Sequence, residues 1–231
     1  MPIGGCASDI RSQEELLSLT TPHWITSVAF NPTGDLLGAG CVDDTARLYR
    51  YRRSRDATLE LSHQKIVDTV DFAQINAEPI VATGSHDYTV ELWNIEGERQ
   101  MDALFHGSRV LRIRFDPLDP TILHTFTTKG IVRRWDLNTG LTIGPAQSFT
   151  NQGKDFCVGK GWVAGIGDGD RTLYVRSRAN SKMVSRAEMP RLTGWRISEI
   201  GQRRLTYDEW ITLFEDDWEY KGEHNESTKT P

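Results

Sequence analysis

The chain has 231 residues, 38% of them hydrophobic, and a formal net charge of −5. That length suits one domain with a substantial core, and so mild an acidity gives no global reason to expect a nucleic-acid partner. Three cysteines, at positions 6, 41 and 157, are too scattered and odd in number for a disulfide framework or a Cys-x-x-Cys metal site.

The cysteine pattern fits a reducing compartment, so an intracellular location, cytoplasmic or nuclear, is expected. Residues 1–15 lack an apolar run and meet charge early, so no secretory leader is expected there. Pro2 rules out N-myristoylation. No stretch approaches the roughly 18 apolar residues that span a bilayer. Residues 1–15 read as disordered, and residues 16–20 (LSLTT without its last threonine, preceded by Leu16) read as a short outer strand. Residues 25–30 (ITSVAF) form the first strand of a unit, with Pro32 placing a turn two residues beyond Phe30. The same unit has a turn at Asp43 and closes on Tyr49.

The second unit is the best specified. Residues 80–83 are an apolar strand, Gly84-Ser85-His86-Asp87 is a turn, and residues 89–93 alternate to a final Trp93. An upstream strand covers residues 67–72 and is preceded by His63. A third unit repeats this pattern from residue 110 to Trp135. Phe30, Phe72 and Phe115 close the first strands at intervals of 42 and 43 residues, and Tyr49, Trp93 and Trp135 close the third strands at intervals of 44 and 42. A fourth unit is weaker: strands at 154–158 and 162–166, a glycine-rich turn at 167–170, and a strand at 171–177. A fifth is fainter, with strands at 195–200, 203–207 and 210–214 around a turn at Asp208. From Glu215 the chain is acidic and then polar, and reads as a tail.

A period of about 40–45 residues, four short strands per unit, Asp in the turn and Trp closing the third strand together resemble the WD-repeat family. The resemblance implies an all-β fold, a WD-repeat β-propeller of about five blades or an incomplete seven-bladed one. The repeats fall at about 21–62, 63–105, 106–148, 150–188 and 195–214 within a domain of residues 16–214, followed by a tail at 215–231. Residues 16–20 would then close against 195–214, which removes exposed sheet edges. It also implies a hydrogen-bonded side-chain tetrad inside each blade: His63, Ser85, Asp87 and Trp93 in the second, and His106, Thr127 and Trp135 in the third, with Lys129 at the Asp position. The first blade keeps Asp43 and Tyr49, with Cys41 and Thr21 in the remaining places. On the family pattern partners dock on the face bearing the loop before the first strand and the turn before the third. That selects Trp24, Asp44, His86, Tyr88 and Arg109. The implied function is a non-enzymatic protein–protein interaction scaffold in a multi-subunit complex, with no cofactor, metal or small-molecule substrate.

Other chemistries fit less of the sequence. His63 and Asp87 suggest catalysis, but no nucleophile accompanies them as triad logic requires. Gly165-Ile-Gly167-Asp-Gly169-Asp170 looks like a phosphate loop, yet a strand rather than a helix follows. Asp168 and Asp170 lack the glutamate that completes a calcium loop. Arg47, Arg50, Arg52, Arg53 and Arg55, interleaved with Tyr49 and Tyr51, form a basic patch. Such a patch is a solvated strand edge, a contact for an acidic protein, or a nucleic-acid contact. Tyr49-Arg50-Tyr51-Arg52 partly resembles the Trp-Asp-x-Arg motif of cullin ubiquitin-ligase substrate receptors. Only the aromatic and Arg52 match, so that role is an alternative. Cys41 and Cys157 read as small core residues.

Overall fold

Period-two alternation, broken by turns rich in Asn, Asp and Gly, produces strands throughout. The computed structural model describes residues 3–8, 15–21, 23–50, 57, 59–167, 172–177 and 183–188. All of them belong to one compact unit, Met1–Met189.

Strands β1 (Ile3–Ser8) and β2 (Glu15–Thr21) pair antiparallel as a separate hairpin. The first sheet contains β3 (Ile25–Phe30), β4 (Leu37–Cys41), β5 (Thr45–Tyr49) and β6 (Leu59–Ser62). The second contains β7 (Val67–Ile75), β8 (Glu78–Ser85), β9 (Thr89–Trp93) and β10 (Leu104–Phe105). The third is built from β11 (Val110–Phe115), β12 (Ile122–Thr127) and β13 (Ile131–Asp136), with short β14 (Leu141–Thr142) and β15 (Gln147–Ser148) both pairing β13. The fourth is β16 (Gly153–Val158), β17 (Trp162–Gly167), β18 (Thr172–Ser177) and β19 (Met183–Glu188). The first, second and fourth sheets are antiparallel meanders, with strands adjacent in sequence neighbouring in space; in the third, β14 and β15 both line the outer edge of β13.

Two expectations change here. Residues 1–15, read as disordered, include β1, and the outer strand near 16–20 pairs with it as the longer β2. Strand pairing gives these backbones partners that composition alone did not suggest. The fifth unit at 195–214 and the tail at 215–231 lie outside the described residues.

Consecutive sheets pack face to face. Ala46, Leu48 and Leu61 of the first meet Val67, Val70, Phe72, Val81 and Trp93 of the second. Ile80, Ala82, Val90 and Leu92 on the opposite face of the second meet Val110, Ile113, Leu123 and Trp135 of the third. Phe126, Val132 and Phe149 carry the contact onward to Phe156 and Val163 of the fourth, with Phe126 and Phe156 stacked at 5.3 Å. The approach is tight at Gly84, where an added Cβ would stand 2.8 Å from both Thr69 Cγ2 and Val110 Cγ1. Glycine here permits sheet contact rather than an unusual backbone angle.

The turn before the third strand repeats in atomic detail across the first three sheets. Asp44 (φ 68°), Tyr88 (φ 74°) and Gly130 (φ 65°) occupy the same left-handed position. The carbonyl of each accepts the N–H of a residue opening the next stretch: His63 and His106 at 2.8 Å, Phe149 at 2.9 Å.

Candidate functional site

The second sheet holds a directed chain of hydrogen bonds. Trp93 Nε1–H donates to Thr83 Oγ1 at 2.9 Å, and Thr83 Oγ1 lies 2.7 Å from His63 Nε2. His63 Nδ1 lies 3.0 Å from Asp87 Oδ2. The arrangement that serves every group has Thr83 donating to Nε2 and Nδ1–H donating to Asp87, so each bond polarises the next. Asp87 then fastens the turn, accepting the Thr89 N–H and hydroxyl on Oδ1 and the Gln64 N–H on Oδ2. Burial alone would raise the Asp87 carboxyl, but the bonds from Thr89 and Gln64 and the His63 ring outweigh it and hold it below the usual carboxylate range.

The hydroxyl in this chain is Thr83, not Ser85. Ser85 Oγ donates to the Lys65 carbonyl at 2.8 Å and accepts the Asp87 N–H at 3.1 Å, so it braces the turn. The third sheet shows the same displacement: Thr125 links Trp135 Nε1 (3.1 Å) to His106 Nε2 (2.8 Å), while Thr127 Oγ1 reaches only the Ile131 carbonyl at 3.5 Å. The cause is register. The two hydroxyl residues of each strand are two apart and share the tryptophan's face, but the threonine ten positions before each tryptophan sits opposite the residue two before that tryptophan, while the later hydroxyl stands two residues nearer the turn. Where Lys129 replaces the acid, His106 Nδ1–H donates to the Leu104 carbonyl at 2.9 Å instead. Burial lowers the His106 pKa to about 4.

In the first sheet Ala39 stands where Thr83 would and cannot form the chain. Arg47 takes over the task, donating to Asp43 Oδ2 at 2.6 Å and to Glu60 Oε1 at 2.9 Å. Arg47 is therefore not part of a solvated basic patch: it is buried, and although desolvation opposes its charge, Asp43 and Glu60 raise its pKa. Asp43 is still the turn residue, accepting the Thr45 hydroxyl at 2.8 Å. Arg50 is half-buried, and Arg52, Arg53 and Arg55 lie outside the described residues. The ligase-motif comparison, which turns on Arg52, falls there too. So does most of the glycine-rich turn after Gly167. Cys41 is buried as expected, but Cys157 is exposed rather than in the core. Among the described residues no group of three His, Cys, Asp or Glu side chains is placed to hold a metal ion.

The expected docking residues share one end of the strands. The Trp24 carbonyl accepts the Val42 N–H, the Ile66 carbonyl the His86 N–H, and the Arg109 carbonyl the Thr128 N–H. These are equivalent bonds in successive sheets, so Trp24, Asp44, His86, Tyr88 and Arg109 lie along one rim. Trp24 is 67% exposed and Tyr88 48%. At this rim the first strand of each of the four described sheets carries a bulge that leaves one residue out of register: Thr26, Asp68, Leu111 and Lys154. Bulges re-aim side chains. Thr26 Oγ1 donates to the Val67 carbonyl of the next sheet. Asp68 accepts Arg109 Nε at 2.6 Å and Nη2 at 3.2 Å, a two-point bridge from the second sheet to the third. His86 Nε2 stands 2.8 Å from the same carboxylate, a close electrostatic contact off the line of a hydrogen bond. Sequence pattern alone does not single out Asp68, Thr83 or Thr125. The ten-residue Thr-to-Trp spacing shared by two units was the available signal for the threonines.

Comparison with known proteins agrees with this geometry. The family model for the WD domain, G-beta repeat, matches residues 14–50. The chain resembles the WD-repeat family. This WD-repeat chain is 26% identical to the nuclear distribution protein nudF of Aspergillus niger over 166 residues, covering 70% of the chain and 37% of that relative. It is 32% identical to eukaryotic translation initiation factor 3 subunit I of Pyricularia oryzae over 105 residues, 46% of the chain and 30% of the relative. It is 30% identical to guanine nucleotide-binding protein subunit beta-5b of Danio rerio over 113 residues, 47% of the chain and 28% of the relative. The WD-repeat chain thus spans well under two thirds of the length of the curated relatives it matches. Its all-β sheets are those of a WD-repeat propeller.

Proposed function

We propose that this WD-repeat chain is a non-enzymatic interaction scaffold whose partner proteins, in a multi-subunit complex, dock on the rim bearing Trp24, Asp44, His86, Tyr88 and Arg109. The observation that carries this reading is the Asp68 bridge. It fixes the Arg109 guanidinium, still 40% exposed at its side chain, beside His86 on a rigid pair of sheets. Exposed Trp, Tyr and Arg held in place lose little entropy on binding and dominate interface hot spots. The His residues that invite a catalytic reading, His63 and His106, are committed inside the sheets. The relatives, one a named subunit of a translation initiation factor and one a subunit of a guanine nucleotide-binding protein, support assembly into complexes.

The test is affinity capture from native extract with quantitative mass spectrometry, comparing the native chain with Trp24→Ala, Arg109→Ala and Leu118→Ala. Leu118 is 61% exposed and lies in the turn between β11 and β12, at the opposite end of the strands. Loss of the same partners from the first two variants and their retention by the third is the expected outcome. A partner set unchanged by Trp24→Ala and Arg109→Ala overturns the docking rim.

A further inference from the structure

A cleft of about 300 Å³ opens along the outer strands of the second sheet, reached by Ser62 at the end of the first sheet's outer strand. Its walls include Ser62, His63, Asp87, Glu91, Arg99 and Phe105. We propose that it receives one cationic side chain, a lysine or an arginine, from a partner polypeptide.

The two carboxylates in the cleft differ. Both oxygens of Asp87 are engaged by His63, Gln64 and Thr89. Glu91 has one engaged oxygen: Oε1 lies 2.8 Å from Arg99 Nη2. Glu91 Oε2 has no hydrogen-bond partner among the described residues, although the side chain is 8% exposed. A carboxylate oxygen sealed from water without a donor costs free energy that an incoming N–H group recovers. Burial accordingly raises the Glu91 pKa.

The charge of the donor follows from its surroundings. Asp87 and Glu91 repel an anion, and a cation offsets the repulsion between them. The apolar surface suits a long stem: Phe105 is 73% exposed at the cleft, with Ala103 beside it. Lysine and arginine lay such stems along apolar surface while the head seeks polar groups. The chain already uses this mode once. Arg99 lies over the Trp93 ring, 5.2 Å from its centroid, and reaches Glu91 Oε1. A volume of about 300 Å³ is at the lower end for ligand sites, which suits one side chain better than a whole cofactor. None of the cleft residues belongs to the proposed docking rim, so either proposal can fail alone.

The experiment titrates the ¹⁵N-labelled full chain with N-acetyl-lysine-N-methylamide, with the arginine analogue, and with the uncharged norleucine analogue. The readout is the amide shifts of Gln64, Thr89, Glu91 and Arg99. Saturable shifts at millimolar concentration are expected from at least one cation and not from norleucine. Glu91→Gln, which keeps the shape, should weaken binding by about tenfold or more. Arg99→Ala frees the second Glu91 oxygen and should tighten it several-fold. The proposal is overturned if neither cation saturates, if norleucine matches them, or if Glu91→Gln binds as the native chain does. Should the Glu91→Gln spectrum show misfolding, Arg99→Ala decides, and unchanged or weaker binding there overturns the site.

Discussion

Two buried side chains converge on Thr83 Oγ1, so removing that hydroxyl strands both His63 and Trp93. Thr83→Val is expected to cost about 2–3 kcal/mol, since each buried polar group loses its partner. Thr83→Ser should cost less than about 1 kcal/mol, and Ser85→Ala about 1 kcal/mol, because Ser85 braces a turn only. Urea denaturation midpoints rank the three, and a Ser85→Ala loss exceeding that of Thr83→Val would contradict the arrangement. His106 makes a different prediction. Burial lowers its folded pKa to about 4 from the ordinary histidine value of 6.5, so between those values the unfolded chain binds more protons. Stability from this residue is therefore full above about pH 6.5 and falls as pH drops toward 4, by about 3 kcal/mol in all. In an NMR titration the His106 ring should remain uncharged down to about pH 5; a midpoint near 6.5 would refute this.

Sheets are where sequence reading succeeds and where it slips. Alternation and aromatic strand ends locate β3 and β11, because each strand has one face toward a neighbouring sheet; β7 starts where expected but runs on to Ile75, past the expected close at Phe72. Arg47 was misjudged because its partner is a cross-strand neighbour: Arg47 pairs with Glu60 only once the β5–β6 register is known. That pairing joins residues thirteen apart in the chain, which local pattern does not encode. The tetrad threonines differ for a related reason: Thr83 and Ser85 share a face, and only the β8–β9 register puts Thr83 rather than Ser85 beside Trp93. Sheet spacing gives a test of its own. Gly84→Ala forces Thr69 or Val110 to move and should cost about 1–3 kcal/mol. Gly107→Ala, where an added Cβ meets nothing within 4 Å, should be nearly neutral. Equal denaturation midpoints for the two variants would argue against the close contact.

For the molecule as a whole, recurrence every 42 to 44 residues made the repeat architecture legible, since each unit must cover its neighbour's apolar face. The rim's chemistry was only half legible. Trp24, His86, Tyr88 and Arg109 could be nominated from the repeat, but Asp68, which ties two of them together, stands in a bulge that breaks the alternation. Asp68→Asn should leave the fold intact and cost about 1 kcal/mol, because Arg109 is partly exposed and solvent weakens the pair. It should also lower capture of whatever partners Arg109→Ala loses. Partner capture unchanged from the native chain would separate the bridge from docking.

The bulges have a consequence for how such chains diversify. Four successive sheets each present one residue that is excused from the strand register, and the four are a hydroxyl, a carboxylate, an alkyl group and an ammonium. Ladder pairing does not dictate their identity, as it dictates that of their neighbours. Substitution there changes the side chains the rim presents while the β-ladders persist. Descendants of one ancestral repeat could therefore acquire separate binding vocabularies through a handful of codons, without renegotiating the core.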